Sequence, residues 1–359
     1  MPPNKAKVCF VPVGNEESRE EIGRKAVRLA EAAGLAAAIV ANKPCAIKQH
    51  FGEHQNEGYI KPEITKHLVD WVRRAGARPF ITDTNTLYRG RRANGLDHLE
   101  VAREHGFTHE KLGAPVVIAD GLLGIEHVAV PVQGGRHFKE VRIASAGYHA
   151  ASSIVLTHVT GHCLCGLGGA IKNVAMGFAS RAGKMAQHHE GLPLFDSGKC
   201  KACGFCVRWC PAEAVRLETK AKLVKEKCIG CGECLAVCPH EAVSFGWGSR
   251  GAVMHEKMCE YVLGFLSNKK SRVGYLNFII DVTMNCDCIG RKQEVPYPNL
   301  GILASDDIIA IETATADLTC QRYGKDIWLA WWPNSSYRTQ IEYGEKLGLG
   351  TSGYDLIAL

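Results

Sequence analysis

The chain has 359 residues, of which 46% are hydrophobic, 22% charged and 8% aromatic, and its formal charge is +6 at pH 7. This composition excludes extended disorder and indicates one large or two smaller hydrophobic cores. No run of 18 apolar residues occurs and the first residues lack a secretory h-region, so we expect a cytoplasmic protein without membrane insertion. The unusual figure is 16 cysteines, which in a reducing compartment favour metal binding over disulfides.

Strand-like and helix-like segments alternate through the first 195 residues. Helices are predicted over residues 16–33, 62–75 and 94–105, the second opened by Pro62 and closed by Gly76. The extended segments read, in chain order, KVCFVPV, AAAIVA, AIKQHF, PFITD, PVVIAD, HVAVPV, KEVRIASA and SSIVLTHV. Alternation of this kind indicates an α/β fold with a largely parallel sheet.

The composition changes abruptly near residue 197, where eight cysteines occur within 39 residues. After this region, helix-like and strand-like segments alternate again. The predicted elements are helix 252–267, strand VGYLNFIID, helix 307–318, and a last helix and strand within 337–358. We therefore predict a discontinuous α/β domain over residues 1–196 and 249–359. A small α+β ferredoxin-like module would be inserted over residues 197–248, in a surface loop whose ends lie close together.

The inserted segment carries the pattern C-x2-C-x2-C-x3-C-P twice, with 17 residues between the two copies. Three closely spaced thiolates are typical ligands of one [4Fe–4S] cluster, and the cysteine before the proline typically binds the other cluster. Zinc knuckles need only four ligands and would not explain two matched copies. The pattern predicts two clusters, one on Cys200, Cys203, Cys206 and Cys238, and one on Cys228, Cys231, Cys234 and Cys210.

The positive charge does not indicate a nucleic-acid-binding protein. Residues 199–250 carry nine Lys and Arg against five Glu, but the ligating thiolates lie in the same segment and offset this surplus. A nucleic-acid footprint requires an excess of positive charge beyond that, gathered on one face. We therefore expect no nucleic-acid partner.

Four further cysteines form two C-x-C pairs, Cys163 with Cys165 and Cys286 with Cys288. One interpretation is a third metal or iron–sulfur site, in which nearby histidines add ligands or supply protons. The other is four unrelated buried side chains, since free cysteine is often buried. The candidate catalytic residues around these pairs are His158, His162, Lys172 and Asn173.

Several basic residues are candidates for an anion site. Lys172 follows a glycine-rich turn and enters a predicted helix, whose first turns would attract an anion; a purely structural turn is the alternative. Lys48 and His50 follow a predicted strand, at the place where open α/β sheets bind their ligands. Arg181 and Lys184 add positive charge farther along the chain.

Many ordered blocks of the sequence resemble the DUF362 family. They include IKQHFGE, RPFITDTNTLYRG, LDHLEVAREHGF, GHCLCGLGGAIKNVAMGFASRAGK, CDCIG and GILASDDIIAIETATADL. Members of this uncharacterised family often carry an inserted dicluster ferredoxin, and the resemblance implies an anaerobic iron–sulfur redox protein. Two departures are notable. Asn299 stands where relatives have an aspartate, and Cys163 and Cys165 replace ordinary residues.

Three functional hypotheses follow. In the first, two clusters relay low-potential electrons to a site in the α/β domain that reduces a small anionic substrate. In the second, the protein is an adaptor for a partner such as a ferredoxin, a flavodoxin or a redox enzyme, and the basic residues that would dock an acidic partner are Lys220, Lys222, Lys225 and Lys227. In the third, the C-x-C cysteines deliver a metal or a cluster to another protein.

Overall fold

The computed structural model describes residues 5–88, 90–188, 192–244 and 251–359. In chain order the strands are β1 Ala6–Pro12, β2 Pro44–Lys48, β3 Arg78–Asp83, β4 Val116–Ile118, β5 His127–Pro131, β6 Glu140–Ala144, β7 Ser152–His158, β8 Thr160–His162, β9 Gly166–Gly168, β10 Leu194–Phe195, β11 Val215–Leu217, β12 Ala221–Leu223, β13 Val243–Ser244, β14 Val273–Ile279, β15 Gly301–Ser305 and β16 Tyr354–Ala358.

The helices lie between these strands and after them. In chain order they are α1 Arg19–Ala32, α2 Pro62–Arg74, α3 Gly95–Glu104, α4 His109–Leu112, α5 Ser145–His149, α6 Ala170–Gly177, α7 Arg181–His188, α8 Phe205–Arg208, α9 Glu233–Ala236, α10 Ala252–Leu266, α11 Ile308–Tyr323, α12 Ile327–Trp331 and α13 Arg338–Lys346. In the described part of the chain, no helix is long and apolar enough to cross a membrane.

The central sheet has eight strands in the order β16-β1-β15-β14-β7-β2-β3-β4. Strand β15 runs antiparallel to both of its neighbours, whereas the other neighbouring pairs are parallel. The predicted α/β class with a largely parallel sheet is therefore confirmed. The carboxyl ends of β2, β3 and β7 meet at one edge of the sheet, because these strands share a direction.

Helices cover both faces of the sheet, so its central strands are buried on both sides. Every residue of β7 and of β14 is buried, as expected for strands between two helical layers. Ile154 packs in the layer that contains α1 and α2, whereas the next residue, Val155, packs in the layer that contains α6, α10 and α11. This alternation follows from the two-residue period of a strand.

Helix boundaries follow local capping signals. Helix α1 begins after Ser18, whose hydroxyl accepts a hydrogen bond from the Glu21 amide while the Glu21 carboxylate accepts one from the Ser18 amide. The predicted helix over 16–33 is thus shorter, at Arg19–Ala32. The segment predicted as an extended AAAIVA is wrong in its first half, because Leu35–Ala38 forms a 3-10 helix after the left-handed Gly34.

The cysteine-rich segment forms its own small substructure. Strands β10 and β13 pair in antiparallel fashion near its two ends, and β11 and β12 form a hairpin inside it. Its core contains ladder cysteines together with small apolar side chains such as Val215, Ala221 and Val243. The domain boundaries stay a prediction, and the boundary at residue 248 lies outside the described residues.

Candidate functional site

A cavity of about 270 Å³ lies at the carboxyl ends of β2, β3 and β7. Its walls come from the residues that end these strands, from the β8–α6 region, and from the loop after β14. The candidate residues that line it are Lys48, His50, His158, His162, Cys163, Lys172, Asn173, Lys184, Cys286 and Cys288. The fold thus gathers most of the predicted site residues, although they are spread over more than 200 positions.

Two of the cavity's cations are already paired with carboxylates. Asp83 forms ion pairs with Lys48 at 3.1 Å and with Arg92 at 3.3 Å, and Arg92 also contacts Glu53 at 3.2 Å. Burial alone would raise the pKa of the Asp83 carboxyl, but Lys48 and the other neighbouring cations hold it well below its usual range. Lys48 therefore serves the network at the ends of β2 and β3 rather than standing free to bind an anion.

Asn173 connects three elements around the cavity. Its Oδ1 accepts a hydrogen bond from Lys48 Nζ at 2.8 Å. Its Nδ2 donates to the Leu156 carbonyl at 2.9 Å and to Thr157 Oγ1 at 3.1 Å. Because both ends of the amide are engaged, Asn173 acts as a positioning residue that fixes α6 against β7.

The start of α6, where the sequence suggested an anion site, contacts a carboxyl group of the protein itself. The buried Glu312 carboxylate accepts a hydrogen bond from the Ala170 amide at 2.7 Å and one from Gln340 Nε2 at 2.9 Å. Burial raises the pKa of Glu312 to about 8. A carboxyl group of the protein itself thus occupies the helix start, and an added anion would have to displace it.

Two further lysines face the cavity, and the second of them, Lys184, lies near the Asp120 carboxylate, which partly opposes the effect of burial on its pKa. Lys172 makes no hydrogen bond or ion pair with any residue that the structure describes, and burial lowers its pKa. Lys184 donates to Thr84 Oγ1 at 2.5 Å and to the Ala179 carbonyl at 3.0 Å, and burial lowers its pKa to about 8. These side chains give the cavity its capacity to attract an anion and, near neutral pH, to donate a proton.

Two of the histidines have fixed roles. His158 places Nδ1 at 2.9 Å from Asp287 Oδ2 and donates from Nε2 to the Ile280 carbonyl at 2.8 Å. Burial would lower the pKa of His158, but Asp287 outweighs it and raises the pKa. His50 Nδ1 accepts a hydrogen bond from the Gly52 amide at 2.9 Å, and burial holds its pKa well below the ordinary value. His158 is thus a structural cation, and His50 is neutral.

The second C-x-C pair meets a histidine at the cavity wall. Cys286 and Cys288 are joined by a disulfide, and their sulfurs lie within 4.8 Å of a ring nitrogen of His162. The His162 Nδ1 accepts a hydrogen bond from the Leu164 amide at 3.2 Å. Burial, aided by Lys172, holds the pKa of His162 well below its ordinary value, so the imidazole is neutral. A neutral imidazole is a suitable metal ligand, and the two sulfurs become suitable thiolate ligands when the disulfide is reduced.

The first C-x-C pair is divided between the cavity and the core. Cys163 is exposed and lines the cavity. Cys165 is fully buried, its sulfur lies 3.8 Å from the Met258 sulfur, and it does not line the cavity. Burial raises the pKa of Cys165 to about 12. The four cysteines therefore do not converge as one set.

Arg181 does not face the cavity. It is fully buried, forms an ion pair with Glu233 and donates to the Gly232 carbonyl at 2.8 Å. Both partners belong to the second cysteine ladder, so this predicted anion-binding residue instead joins α7 to the inserted segment. Leu87 extends the contact, because it lines the cavity and a Cβ on Gly232 would lie 2.5 Å from its Cδ1.

The sequence assigns the ladder cysteines to two groups of four, and the structure brings members of both into one small core. One small cavity is enclosed by the first group, Cys200, Cys203, Cys206 and Cys238. Cys234 of the second group has a raised pKa, first because of burial and then because of the nearby thiols of Cys231, Cys228 and Cys210 and of Cys206 from the first group. Backbone amides point at several sulfurs, including Ala214 N to Cys210 Sγ at 3.2 Å and Ala242 N to Cys238 Sγ at 3.3 Å. Four sulfurs around a cavity, with amides directed at them, fit a metal or cluster.

Sequence reasoning missed the carboxylates of the site. Asp83 and Glu53 neutralise cavity cations, Asp287 pairs with His158, and Glu312 caps α6. Asp83 ends the predicted strand PFITD, so the rule that ligands lie at carboxyl ends of strands could have identified it. Glu312 carried no such signal, because it reaches α6 from a helix that is remote in the sequence.

The fold and cavity define an α/β protein in which a cysteine-rich segment packs beside a cavity lined by lysine and histidine side chains. The family model described as a domain of unknown function, DUF362, matches residues 45–317. The chain belongs to this family. No curated protein matches it.

Two solved structures show a distant similarity. One is the lactate racemase apoprotein from Thermoanaerobacterium thermosaccharolyticum, with 12% identity, a TM-score of 0.37, and coverage of 78% of this chain and 52% of that one. The other is a protein from Thermotoga maritima, with 11% identity, a TM-score of 0.42, and coverage of 93% and 60%. The chain thus spans little more than half the length of these proteins, and neither likeness bears on function.

Proposed function

We propose that this protein is an iron–sulfur redox protein in which two [4Fe–4S] clusters relay low-potential electrons to the cavity, where a small anionic substrate is reduced. The observation that carries the proposal is the position of the second cysteine group. Gly232, between the ligands Cys231 and Cys234, packs against Leu87, and Leu87 is also a wall of the cavity. One side chain therefore separates the segment that would hold a cluster from the cavity.

The cysteine groups described above would hold the two clusters, each of which supplies or accepts one electron when bound. The residues of the chain keep the second group against the cavity. Arg181 binds Glu233 and the Gly232 carbonyl in a buried contact, and Arg142 donates to the Ile229 carbonyl at 3.2 Å. An insertion that served only as a flexible tether would not need a buried ion pair, since such a pair is costly to desolvate.

The cavity is suited to an anion and to proton transfer. Lys172 supplies an uncompensated positive charge, and Lys184 has a pKa of about 8, so it can release a proton near neutral pH. His158 is engaged at both nitrogens and does not supply this proton. A third metal site on His162, Cys286 and Cys288 would hold the substrate beside these lysines.

Iron and acid-labile sulfide in anaerobically purified protein test the proposal. We expect about eight irons and about eight sulfides per chain. Replacing Cys234→Ser should remove about half of this iron, whereas Cys320→Ser, remote from both ladders in the sequence, should leave it unchanged. Purified protein with zinc and no sulfide at the ladders would refute the proposal.

An electron-transfer adaptor is the second candidate, favoured by the surface around the first cysteine group. Cys203 is exposed, and its neighbours at the cavity of this group include Lys201 and the exposed side chains of Phe205 and Leu217. An apolar patch beside a basic residue suits a small acidic electron carrier. If Lys172→Met leaves anion binding unchanged while Phe205→Ala slows reduction by flavodoxin, the adaptor is the better description.

A further inference from the structure

The C-x-C loop after β14 combines a disulfide with a candidate metal ligand set. Cys286 and Cys288 are bonded to each other, and His162 lies beside both sulfurs. The same sulfur atoms cannot be disulfide-bonded and serve as thiolate ligands of a metal, because a metal-binding thiolate must carry the electron pair that the S–S bond uses. The two states of this loop therefore exclude each other.

The loop is held in place independently of the disulfide. The Asp287 carbonyl accepts a hydrogen bond from the Glu53 amide at 2.9 Å, and the Asp287 carboxylate binds His158. The Ile289 amide donates to the Cys286 carbonyl at 3.1 Å. These bonds do not involve either sulfur, so the two cysteines keep their places beside His162 when the S–S bond is broken.

We propose that Cys286 and Cys288 are a redox gate on a metal site that they form with His162. Reduction breaks the bond between the sulfurs, takes up two electrons and two protons, and leaves two thiols. Binding of a divalent metal such as Zn²⁺ then displaces these two protons and forms two metal–thiolate bonds and one metal–imidazole bond. The electrons come from the iron–sulfur relay of the proposed function, on which this inference rests, or in the laboratory from a phosphine.

The ligand set has the character of a reactive metal site rather than a structural one. Structural zinc is usually closed by four protein ligands, whereas a catalytic zinc has three and keeps one position open. Within the described residues, three groups converge here, and they face a cavity that also contains Lys172. An anionic substrate could thus bind the metal at its open position and Lys172 at the same time.

Zinc binding to the two redox states tests the gate. The holoprotein, with its iron content measured, is treated anaerobically with oxidised glutathione or with a phosphine, incubated with Zn²⁺, desalted and analysed for metals. We expect about one zinc per chain in the reduced sample and none above background in the oxidised sample. Equal zinc in the two samples would overturn the gate.

Matched variants identify the ligands. Cys288→Ser and His162→Ala should lose the zinc of the reduced sample, while Cys320→Ser should keep it.

Alkylation followed by mass spectrometry gives a readout that does not depend on metal. The peptide containing Cys286 and Cys288 should take up two alkyl groups after phosphine treatment and none before it. Free thiols in the oxidised sample would contradict the proposal. Iron content reports separately on the clusters, so low iron with redox-dependent zinc would refute the relay and retain the gate.

Discussion

Asp83 is the junction of the buried charges at the cavity, because Lys48 and Arg92 both pair with it. Its position at the end of β3 places a carboxylate among cations that could not be buried together without it. Lys172 differs from them in having no such partner among the described residues. Lys48 and Arg92 therefore stabilise the fold, whereas the charge of Lys172 is available to a ligand.

Replacing the two kinds of charged residue should therefore have different effects on stability. We expect Asp83→Ala to lower the free energy of unfolding by about 3–5 kcal/mol, because two buried cations lose their carboxylate. Lys172→Met should change it by less than about 1 kcal/mol, since no ion pair is lost. Denaturant unfolding of the two variants measures the difference. Equal destabilisation would mean that Lys172 has a structural partner.

Glu312 gives the protein a specific dependence on pH. Its folded-state pKa of about 8 lies above that of an unfolded glutamate, so the native state binds the extra proton between these values and stability falls as pH rises through this range. In Glu312→Gln this contribution disappears. Relative to the wild type, the variant's unfolding free energy should rise by about 2 kcal/mol between pH 5.5 and 7.5.

The comparison needs a glutamate whose carboxyl stays in water. Glu226 is exposed in the inserted segment, so Glu226→Gln should follow the wild-type pH profile. Parallel profiles for wild type and Glu312→Gln would show that Glu312 ionises in the folded protein as it does in the unfolded chain. The glutamine is a suitable replacement because the buried Gln340 Oε1 has no hydrogen-bond partner among the residues that the structure describes and can accept from the new amide.

Individual site residues could be predicted where their spacing, or their position at the end of a strand, is typical of a ligand or of a binding site. The ladder cysteines carry a recurrent spacing, Lys48 is the last residue of β2 and His50 follows it, so these positions could be selected from sequence. Which cations are free could not be predicted, because Glu53, Asp83 and Arg92 meet only after β2 and β3 are paired. Arg181 and Cys165 showed the same limit, since each faces a neighbour that the local sequence does not indicate.

At the scale of elements, α9 of the second ladder is positioned by Gly232, which has a φ of +72° and lies against Leu87 and Met185. Glycine adopts the left-handed conformation without steric cost, whatever its neighbours are. Here the missing Cβ also lets the inserted segment approach the cavity wall. The equivalent glycine of the first ladder, Gly204, has a φ of +77°, but its Cβ would meet only Leu217 at 3.8 Å.

Alanine substitutions at Gly204 and Gly232 distinguish the cost of backbone strain, which both would have, from the cost of a steric clash, which only Gly232 would have. Gly204→Ala should cost about 1 kcal/mol of stability, because alanine is strained in the left-handed region. Gly232→Ala should cost about 1–3 kcal/mol more, since Leu87 must shift from its buried position. Denaturant unfolding of the two holoproteins measures this. Equal costs would show that Leu87 yields freely and that the contact with the cavity wall is loose.

Elements with strong end signals were predictable almost to the residue. Helix α2, predicted over 62–75 from Pro62 and Gly76, spans Pro62–Arg74. Strand β15 was not predicted, because its five residues, GILAS, are all buried and form a segment too short to be distinguished by periodicity from part of a buried helix. Its antiparallel direction is a property of the sheet, to which the local sequence contributes little.

At the scale of the whole molecule, the Arg181–Glu233 pair joins the α/β domain to the inserted segment. Burial raises the pKa of Glu233, and the attraction of Arg181 opposes this shift. Both side chains lose their hydration on burial, and the ion pair offsets part of that cost. The apolar contacts of Leu87, Met185 and Leu235 surround the same junction. The two parts should therefore unfold cooperatively.

A double-mutant cycle tests this junction. Arg181→Met should lower the unfolding free energy by about 3–5 kcal/mol, because Glu233 is left buried without its partner, and adding Glu233→Gln should restore part of the loss. We expect an interaction energy of about 1–3 kcal/mol for this pair. The exposed pair Lys222–Glu218 should give less than about 1 kcal/mol. Similar values for the two pairs would mean that the junction is open to water.

The order of strands in the sheet has a consequence for how the chain is made. Strand β14 lies between β7 and β15, and β15 joins β1 to the rest, yet β14 and β15 follow the inserted segment in sequence. On the ribosome, the eight ladder cysteines emerge while β1 is still separate from β7, β2, β3 and β4. The nascent chain thus exposes its ladder cysteines before the central sheet can close, so these side chains are accessible to any metal donor until β14 and β15 have been made.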